Sequence, residues 1–167
     1  MLEDGYKHKG MRKGLLQVLK KKGIRDEHVL KAVGKVPRHF FFETAFLAHA
    51  YEDKAFPIGE GQTISQPYTV ARQTELLAPQ PGHRVLEVGT GSGYQCCILL
   101  ELGAKVVSIE YLPALHHRAQ RMLTLMGYRG MTLVQGDGSR GYPVLAPYDR
   151  ILVTAGAAHG ARGLVDA

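Results

Sequence analysis

The chain has 167 residues, 45% of them apolar, and a formal net charge of +6. A chain of this length can bury one sizeable core but not two, so the sequence predicts one domain. No apolar run is long enough to cross a bilayer and residues 1–13 lack an apolar signal segment, so we expect a cytoplasmic protein without membrane contact.

The positive charge is concentrated near the N-terminus. Residues 1–39 hold eleven Lys or Arg against four Asp or Glu, whereas the rest of the chain holds ten against eleven. The lysines are interleaved with Leu15, Leu16, Val18 and Leu19 at helical spacing, which is typical of a solvated helix face. Contact with nucleic acid through this segment is the less favoured interpretation.

Cys96 and Cys97 are the only cysteines, and they are adjacent within an apolar run. They have no partner cysteine and no metal-ligand spacing. We therefore expect two small buried hydrophobic side chains and no metal site.

The N-terminal third is predicted to be mainly helical. Helices are expected at 11–22 and 26–36, with Asp26 as the N-cap of the second. Residues 40–50 are mostly apolar and aromatic, and they fit either a short helix or an extended segment. The turn-rich stretch 51–67 is predicted to be a loop.

After this stretch, helices and strands alternate. The predicted elements are a helix from Pro67 that ends before Pro79, a strand at 85–88, a helix at 94–102, a strand at 105–110, a helix at 115–126, and strands at 131–135 and 149–154. This alternation predicts a doubly wound, Rossmann-like α/β fold with a mostly parallel sheet. Within one domain we expect a helical extension (1–50), a substrate and cofactor loop (51–67) and a cofactor-binding core (68–167).

The most informative motif is a glycine-rich turn, Val-Gly89-Thr-Gly91-Ser-Gly93, between the first core strand and the next helix. Its glycines allow a tight turn and close approach of a ligand to the carboxyl end of the strand. The dinucleotide fingerprint is G-x-G-x-x-G and holds a pyrophosphate, whereas this spacing is G-x-G-x-G. It favours a ligand without a pyrophosphate, such as S-adenosylmethionine, although the turn alone leaves a nicotinamide enzyme open.

Acidic residues follow the next two strands. Glu110 ends the second core strand, where a carboxylate can accept hydrogen bonds from ribose hydroxyls. Asp137 lies between Gly136 and Gly138 after the third strand and can face the exocyclic amine of an adenine. The alternatives are an exposed strand-end Glu and an ordinary Asp-Gly turn. Because parallel strands end at one edge of the sheet, we expect these features to form one site.

A polar segment, residues 59–67, precedes the core. Ser65 is predicted to cap the helix that begins at Pro67. The helix N-terminus would then attract a carboxylate substrate, with the Ser65 hydroxyl as a further donor. The alternative is a purely structural capping serine.

Taken together, these motifs resemble the protein-L-isoaspartate (D-aspartate) O-methyltransferase family. The resemblance covers about residues 36–157 and rests on G-Q-T-I-S-Q-P at 61–67, V-L-E-V-G-T-G-S-G-Y at 85–94, G-D-G at 136–138 and A-P-Y-D-R-I-L-V-T-A at 146–155. The T-I-S-Q-P element is the most specific of them. The chain departs from the family at Phe41-Phe42-Glu43 and Ala55-Phe56, neither of which touches the expected chemistry.

The resemblance implies a class I methyltransferase fold. It also implies methyl transfer from S-adenosylmethionine to the free carboxylate of L-isoaspartyl and D-aspartyl residues in damaged proteins, with S-adenosylhomocysteine as the product. Ser65 would orient the substrate carboxylate, and Asp53 would order the loop or contact substrate. The implied cofactor-binding residues are Thr63, Ile64, Glu87, Gly89, Thr90, Gly91, Ser92, Gly93, Glu110, Asp137 and Gly138.

The C-terminus departs from the family, whose members continue with further strands. Only thirteen residues follow Thr154, and His159 to Ala167 show no strand pattern. With the core strands in the order 3-2-1-4, the last strand would have an open outer side, which parallel strands seldom have. We therefore expect self-association or another partner at this edge, or else marginal solubility.

Three hypotheses follow: a repair methyltransferase, a cofactor-binding protein that has lost activity and serves an interaction, and a methyltransferase acting on another substrate such as RNA. An RNA enzyme would show salt-sensitive RNA binding through the basic N-terminus. The T-I-S-Q-P loop disfavours that hypothesis.

Overall fold

The computed structural model describes residues 3–155. The helices are α1 (Tyr6–Lys21), α2 (Glu27–Lys35), α3 (Pro67–Leu77), α4 (Tyr94–Glu101) and α5 (Pro113–Leu125). The strands are β1 (Phe56–Gly59), β2 (Gln62–Ile64), β3 (Arg84–Val88), β4 (Lys105–Glu110), β5 (Met131–Gln135) and β6 (Arg150–Val153).

The central sheet has four strands in the order β5-β4-β3-β6, and every neighbouring pair is parallel. This is the predicted 3-2-1-4 order of the core strands, so the doubly wound fold is confirmed. Helices α4 and α5 provide the connections from β3 to β4 and from β4 to β5. All four carboxyl ends consequently lie at one edge of the sheet, and that edge carries the site described below.

Both faces of the sheet are covered, which explains the nearly continuous apolar runs of its strands. Val85 and Val106 belong to the main hydrophobic core together with the helices. Leu86 and Val107, the next residue on each strand, belong to a second cluster on the opposite face. Because side chains alternate along a strand, the face of each residue is fixed by its register.

The two N-terminal helices are part of the main core. Leu19 of α1 and Val29 of α2 are almost completely buried in it. Helix α1 begins at Tyr6, five residues before the predicted start, because its first turns are rich in lysine and carry no apolar periodicity. Arg12 anchors these turns, since its guanidinium donates to Asp4 Oδ2 at 2.7 Å and to the carbonyl of Gly34 at 2.8 Å.

The prediction of a loop at 51–67 is wrong in part. Strands β1 and β2 form a separate antiparallel hairpin within this stretch. The strands have four and three residues, which is too short for alternation of polar and apolar residues to show in the sequence. Residues 40–50, which fitted two conformations, form short 3₁₀ turns at Arg38–Phe41 and Thr44–His49.

The predictions for residues 159–167 lie outside the described residues. In the part of the chain that the structure describes, β6 pairs on one side only, with β3. Self-association through its outer side therefore stays a prediction. Among residues 3–155, no helix combines the length and apolar character needed to span a bilayer.

Replacement of Asp26 tests the predicted N-cap of α2. Its side chain accepts hydrogen bonds from the backbone N–H groups of His28 and Val29 at 2.8 and 3.2 Å. Asp26→Ala removes both bonds and should lower the free energy of unfolding by about 1 kcal/mol in urea denaturation. Asp26→Asn, which keeps an acceptor, should retain most of the stability, and equal losses for both variants would contradict the capping role.

Candidate functional site

A cavity of about 750 Å³ lies at the carboxyl edge of the sheet. Its walls are formed mainly by residues 62–65, 88–92, 109–112, 137–139 and 153–155. The first segment comes from the β1–β2 hairpin and the residue after it, and the other four follow the ends of the four parallel strands. The fold thus brings together loops that are far apart in sequence.

The glycine-rich loop after β3 forms the floor of this cavity. Gly91 has φ +54°, and a Cβ at this position would meet only Ile58 Cδ1, at 3.8 Å, so its backbone lies open to a ligand. Below the loop, the Thr90 hydroxyl is 2.6 Å from the Ser108 hydroxyl of β4. The contact between Thr90 and Ser108 therefore fixes one side of the loop, while the backbone of Gly91 on the other side is open to a ligand.

Glu110 lies at the end of β4, and the residue as a whole is 6% exposed. Its Oε2 accepts from the N–H of Gly91 at 2.8 Å, and its Oε1 accepts from the N–H of Leu112 at 2.9 Å. A carboxylate can accept about four hydrogen bonds, so acceptor capacity remains on both oxygens. The arrangement suits a ligand that presents a pair of hydroxyl groups.

Asp137 follows β5, is exposed and lines the cavity. Its Oδ1 accepts from the backbone N–H of Ser139 at 2.9 Å. This hydrogen bond is the main cause that lowers the pKa of Asp137. The group is an ionised acceptor at neutral pH and can bind an amine of the ligand.

The charge of the cavity restricts the ligand. Within residues 3–155, two carboxylates, those of Glu110 and Asp137, line it, and no Lys, Arg or His side chain does. A region with carboxylates alone favours positive charge and repels a pyrophosphate. The structure therefore supports a cationic ligand without phosphates.

The cavity brings together most of the residues that the sequence predicted for the site. Those that line it are Thr63, Ile64, Ser65, Gly89, Thr90, Gly91, Ser92, Glu110, Asp137 and Gly138. Three predicted residues, Glu87, Gly93 and Asp53, are not among the lining residues, and each has a structural reason.

Glu87 does not line the cavity, and its predicted contact with the cofactor stays a prediction. Glu87 lies on the same face of β3 as Val85, and it is 0% exposed. Its Oε2 accepts from the Ser108 hydroxyl at 2.6 Å, whereas Oε1 has no partner in the described part of the chain. Burial raises the pKa of Glu87 to about 8.

Gly93 does not line the cavity but lies close to α5, and its predicted contact with the cofactor stays a prediction. It precedes α4 with φ +87°, and a Cβ there would lie 2.5 Å from Leu123 Cδ1 of α5. The third glycine of the motif therefore lets α5 approach the start of α4. A glycine needed for packing has the same signature in the sequence as one needed for a ligand.

Ser65 does not cap α3 as predicted, because Gln66 holds the N-cap position and no side chain caps from it. Asp53 takes this role from outside the helix, since its Oδ1 accepts from the N–H of Tyr68 at 2.7 Å. The Gln66 amide also donates to the Asp53 carbonyl at 3.1 Å. This end of α3 is thus occupied by an internal carboxylate, while Ser65 lines the cavity.

Arg38 supports this arrangement and was not assigned a role from the sequence. It is 0% exposed, and it donates to the carbonyls of Ala50 at 3.0 Å and Lys54 at 3.3 Å, on either side of Asp53. Burial lowers its pKa to about 10, and its guanidinium lies 5.0 Å from the centre of the Tyr94 ring. The signal in the sequence was the Val-Pro-Arg segment at 36–38, where the likeness to the family begins.

The cysteines are buried and free, as predicted, and burial raises the pKa of both thiols. Among residues 3–155, no group of three or more His, Cys, Asp or Glu side chains could hold a metal ion.

Comparison with known proteins gives a consistent result. Residues 10–166 match the family model described as protein-L-isoaspartate(D-aspartate) O-methyltransferase. A protein-L-isoaspartate O-methyltransferase of Cytophaga hutchinsonii is 56% identical over 165 residues, which are 99% of this chain and 74% of that protein. One from Christiangramia forsetii is 54% identical over 98% of this chain and 77% of its own length.

Solved structures show the same likeness. A protein-L-isoaspartate O-methyltransferase superposes with a TM-score of 0.79 at 36% identity, over 87% of this chain and 48% of that one. A putative family member from Plasmodium falciparum, in complex with S-adenosyl-L-homocysteine, also gives 0.79 at 25% identity, over 93% of this chain and 78% of its own.

The buried carboxyl of Glu87 should make stability depend on pH. Because its pKa is raised from 4.5 to about 8, the unfolded chain releases this proton at lower pH than the folded chain. The free energy of unfolding should therefore fall as pH rises through this window, by about 1.4 kcal/mol per pH unit for one proton, and level off above it.

Urea denaturation across this pH window checks the effect. Glu87→Gln has no proton to release, so its stability should fall less steeply with pH than that of the wild type. Glu60→Gln, at an exposed position, is the matched control and should follow the wild type. Parallel curves for Glu87→Gln and the wild type would contradict the assignment.

Proposed function

Because this chain belongs to the protein-L-isoaspartate(D-aspartate) O-methyltransferase family, we propose that it methylates the free carboxylate of L-isoaspartyl and D-aspartyl residues in damaged proteins. The methyl donor is S-adenosylmethionine and the product is S-adenosylhomocysteine. The observation that carries the proposal is the cavity at the strand ends, with two carboxylates and, among the described residues, no basic side chain.

The residues of the cavity fit this cofactor. S-adenosylmethionine has a positive sulfonium and ammonium and no phosphate, which agrees with the charge of the walls. We assign Glu110 to the ribose hydroxyls, because both its oxygens keep acceptor capacity beside the glycine loop. Asp137 would accept from the adenine amine, and Gly91 would allow close approach to the loop backbone.

When bound, the cofactor would supply a methyl group carried on a positive sulfonium sulfur. A bond from the carboxylate oxygen to the methyl carbon would form as the bond from sulfur to that carbon breaks, and the sulfur would leave as a neutral thioether. The protein needs no general base for this reaction, because the substrate carboxylate is already ionised at neutral pH. The residues of the chain therefore act by positioning. Alignment of two reacting groups can lower a barrier by roughly 7–11 kcal/mol in favourable systems.

We assign the orientation of the substrate carboxylate to Ser65. The Tyr68 N–H at the start of α3 already donates to Asp53, so that amide is not available to the substrate. Ser65 lies next to this occupied helix end and lines the cavity, and its hydroxyl can donate to a carboxylate. Thr63 and Ile64 would form the cover over the cofactor and the substrate. Asp53 would act on the substrate only through this loop.

The protein partners in this proposal are chains that carry an isoaspartyl residue. This proposal is supported by Ser65, which follows the hairpin directly and lines the cavity. A cytoplasmic location, inferred from the sequence, stays a prediction that cell fractionation can check.

Methyl transfer to matched peptides tests the proposal. Radiolabelled S-adenosylmethionine should label an isoaspartyl peptide and leave its aspartyl twin unlabelled. Ser65→Ala should lower the turnover number roughly 10- to 100-fold, because the carboxylate loses an orienting donor, with little change in cofactor affinity. Thr132→Ala, which removes an exposed hydroxyl outside the cavity, is the matched control.

Other outcomes point elsewhere. Cofactor binding without transfer to either peptide would indicate a binding protein that has lost activity. Equal labelling of both peptides, or transfer that does not depend on Ser65, would contradict the proposed substrate or the proposed role of the serine.

A further inference from the structure

We propose that Arg118 is a positioning residue that fastens the β1–β2 hairpin to α5 and thereby sets how tightly the cavity holds its cofactor. The identity of that cofactor rests on the proposed function above. The attachment of the hairpin is a property of the chain itself and can be tested without any ligand.

The hairpin needs an attachment of this kind. It pairs with no strand of the central sheet, and a two-stranded hairpin alone is marginally stable in water. Its register is also irregular. Pro57 pairs with Thr63 and Gly59 pairs with Gln62, so Ile58 is left without a partner in the ladder. A bulged residue of this kind leaves backbone groups that must find another partner.

Arg118 provides this partner. Its Nη1 donates to the carbonyl oxygen of Ile58 at 2.8 Å, across 60 positions of sequence. The same nitrogen lies 3.8 Å from Glu43 Oε1. The Arg118 and Glu43 side chains are 41% and 57% exposed, so the ion pair itself contributes little. The bond to the Ile58 carbonyl is the contact that matters, since Ile58 is only 2% exposed.

This bond joins two walls of the cavity. On one side, β2 and Ser65 line the cavity, and the Ile58 side chain lies beside Gly91 of the glycine loop. On the other side, Leu115 lines the cavity from α5, one helical turn before Arg118. A shift of the hairpin away from α5 would move Thr63 and Ser65 relative to the glycine loop and Glu110.

A second contact keeps the hairpin folded when Arg118 is replaced. The Phe56 ring packs against the rings of Phe42 and Phe46, with centroids 5.4 and 6.2 Å apart. Loss of Arg118 should therefore loosen the hairpin without unfolding the protein. This separates a positioning role from a role in global stability.

Hydrogen exchange without cofactor tests the attachment. Arg118→Met keeps an extended apolar side chain but has no donor, whereas Arg118→Lys keeps a charged donor. Amides of residues 56–64 should exchange about 3- to 10-fold faster in Arg118→Met, with partial rescue in Arg118→Lys. Amides of β3 and β4 should not change. Arg121→Met, at an exposed position on the same helix, is the matched control.

Calorimetric titration with S-adenosylhomocysteine tests the consequence for the site. Arg118→Met should bind it about 3- to 10-fold more weakly than the wild type and Arg121→Met, with partial rescue by Arg118→Lys. In methyl transfer, the KM for S-adenosylmethionine should rise while kcat at saturation changes less. Glu43→Gln should stay within about 2-fold of the wild type, because its ion pair is exposed.

The outcomes are distinguishable. Unchanged hairpin exchange in Arg118→Met would overturn the attachment. Faster exchange with unchanged cofactor affinity would overturn the role of the attachment in the site. If the wild type itself fails to bind S-adenosylhomocysteine, the proposed function fails and the role of Arg118 in cofactor affinity fails with it, whereas the exchange experiment still decides whether Arg118 holds the hairpin.

Discussion

The carboxylate of Glu110 links two loops at the carboxyl edge of the sheet. Its two oxygens accept from the N–H groups of Gly91 and Leu112, so one side chain fixes both the glycine loop and the entry to α5. A buried carboxylate is costly unless hydrogen bonds satisfy it, and these two bonds provide that compensation. The same group retains acceptor capacity toward the cavity. One side chain thus contributes to the geometry of both loops and, in the proposed function, to recognition of the ligand.

The wall of the cavity formed by the hairpin and the start of α3 lies outside the sheet, and it is held by contacts of another kind. Arg118 holds the hairpin, Asp53 holds the start of α3, and Arg38 holds the segment around Asp53. Each of them binds a backbone N–H or carbonyl, and Asp53 and Arg118 also contact the side chains of Gln66 and Glu43. One wall of the site thus consists of loops that follow the parallel strands, and the other consists of the hairpin and the start of α3. A few long-range hydrogen bonds hold this second wall, and the position of Ser65 depends on them.

The sequence was sufficient for the central fold, because the periodicity of helices and strands reports local geometry. Strands β4 and β5 have the predicted bounds, and the strand order is the predicted one. The hairpin was missed because its strands are too short to show alternation. The burial of Glu87 could not be predicted, because proximity to the glycine loop in sequence does not reveal which face of β3 a residue occupies. The contact of Arg118 with Ile58 spans 60 positions and leaves no local pattern.

A crystal structure of the chain with S-adenosylhomocysteine would test the central claim most directly. We predict that the ribose hydroxyls lie about 3 Å from the Glu110 carboxylate, with the adenine amine beside Asp137 and the sulfur facing Ser65. Failure of the ligand to bind, or binding outside the cavity at the carboxyl edge of the sheet, would contradict it.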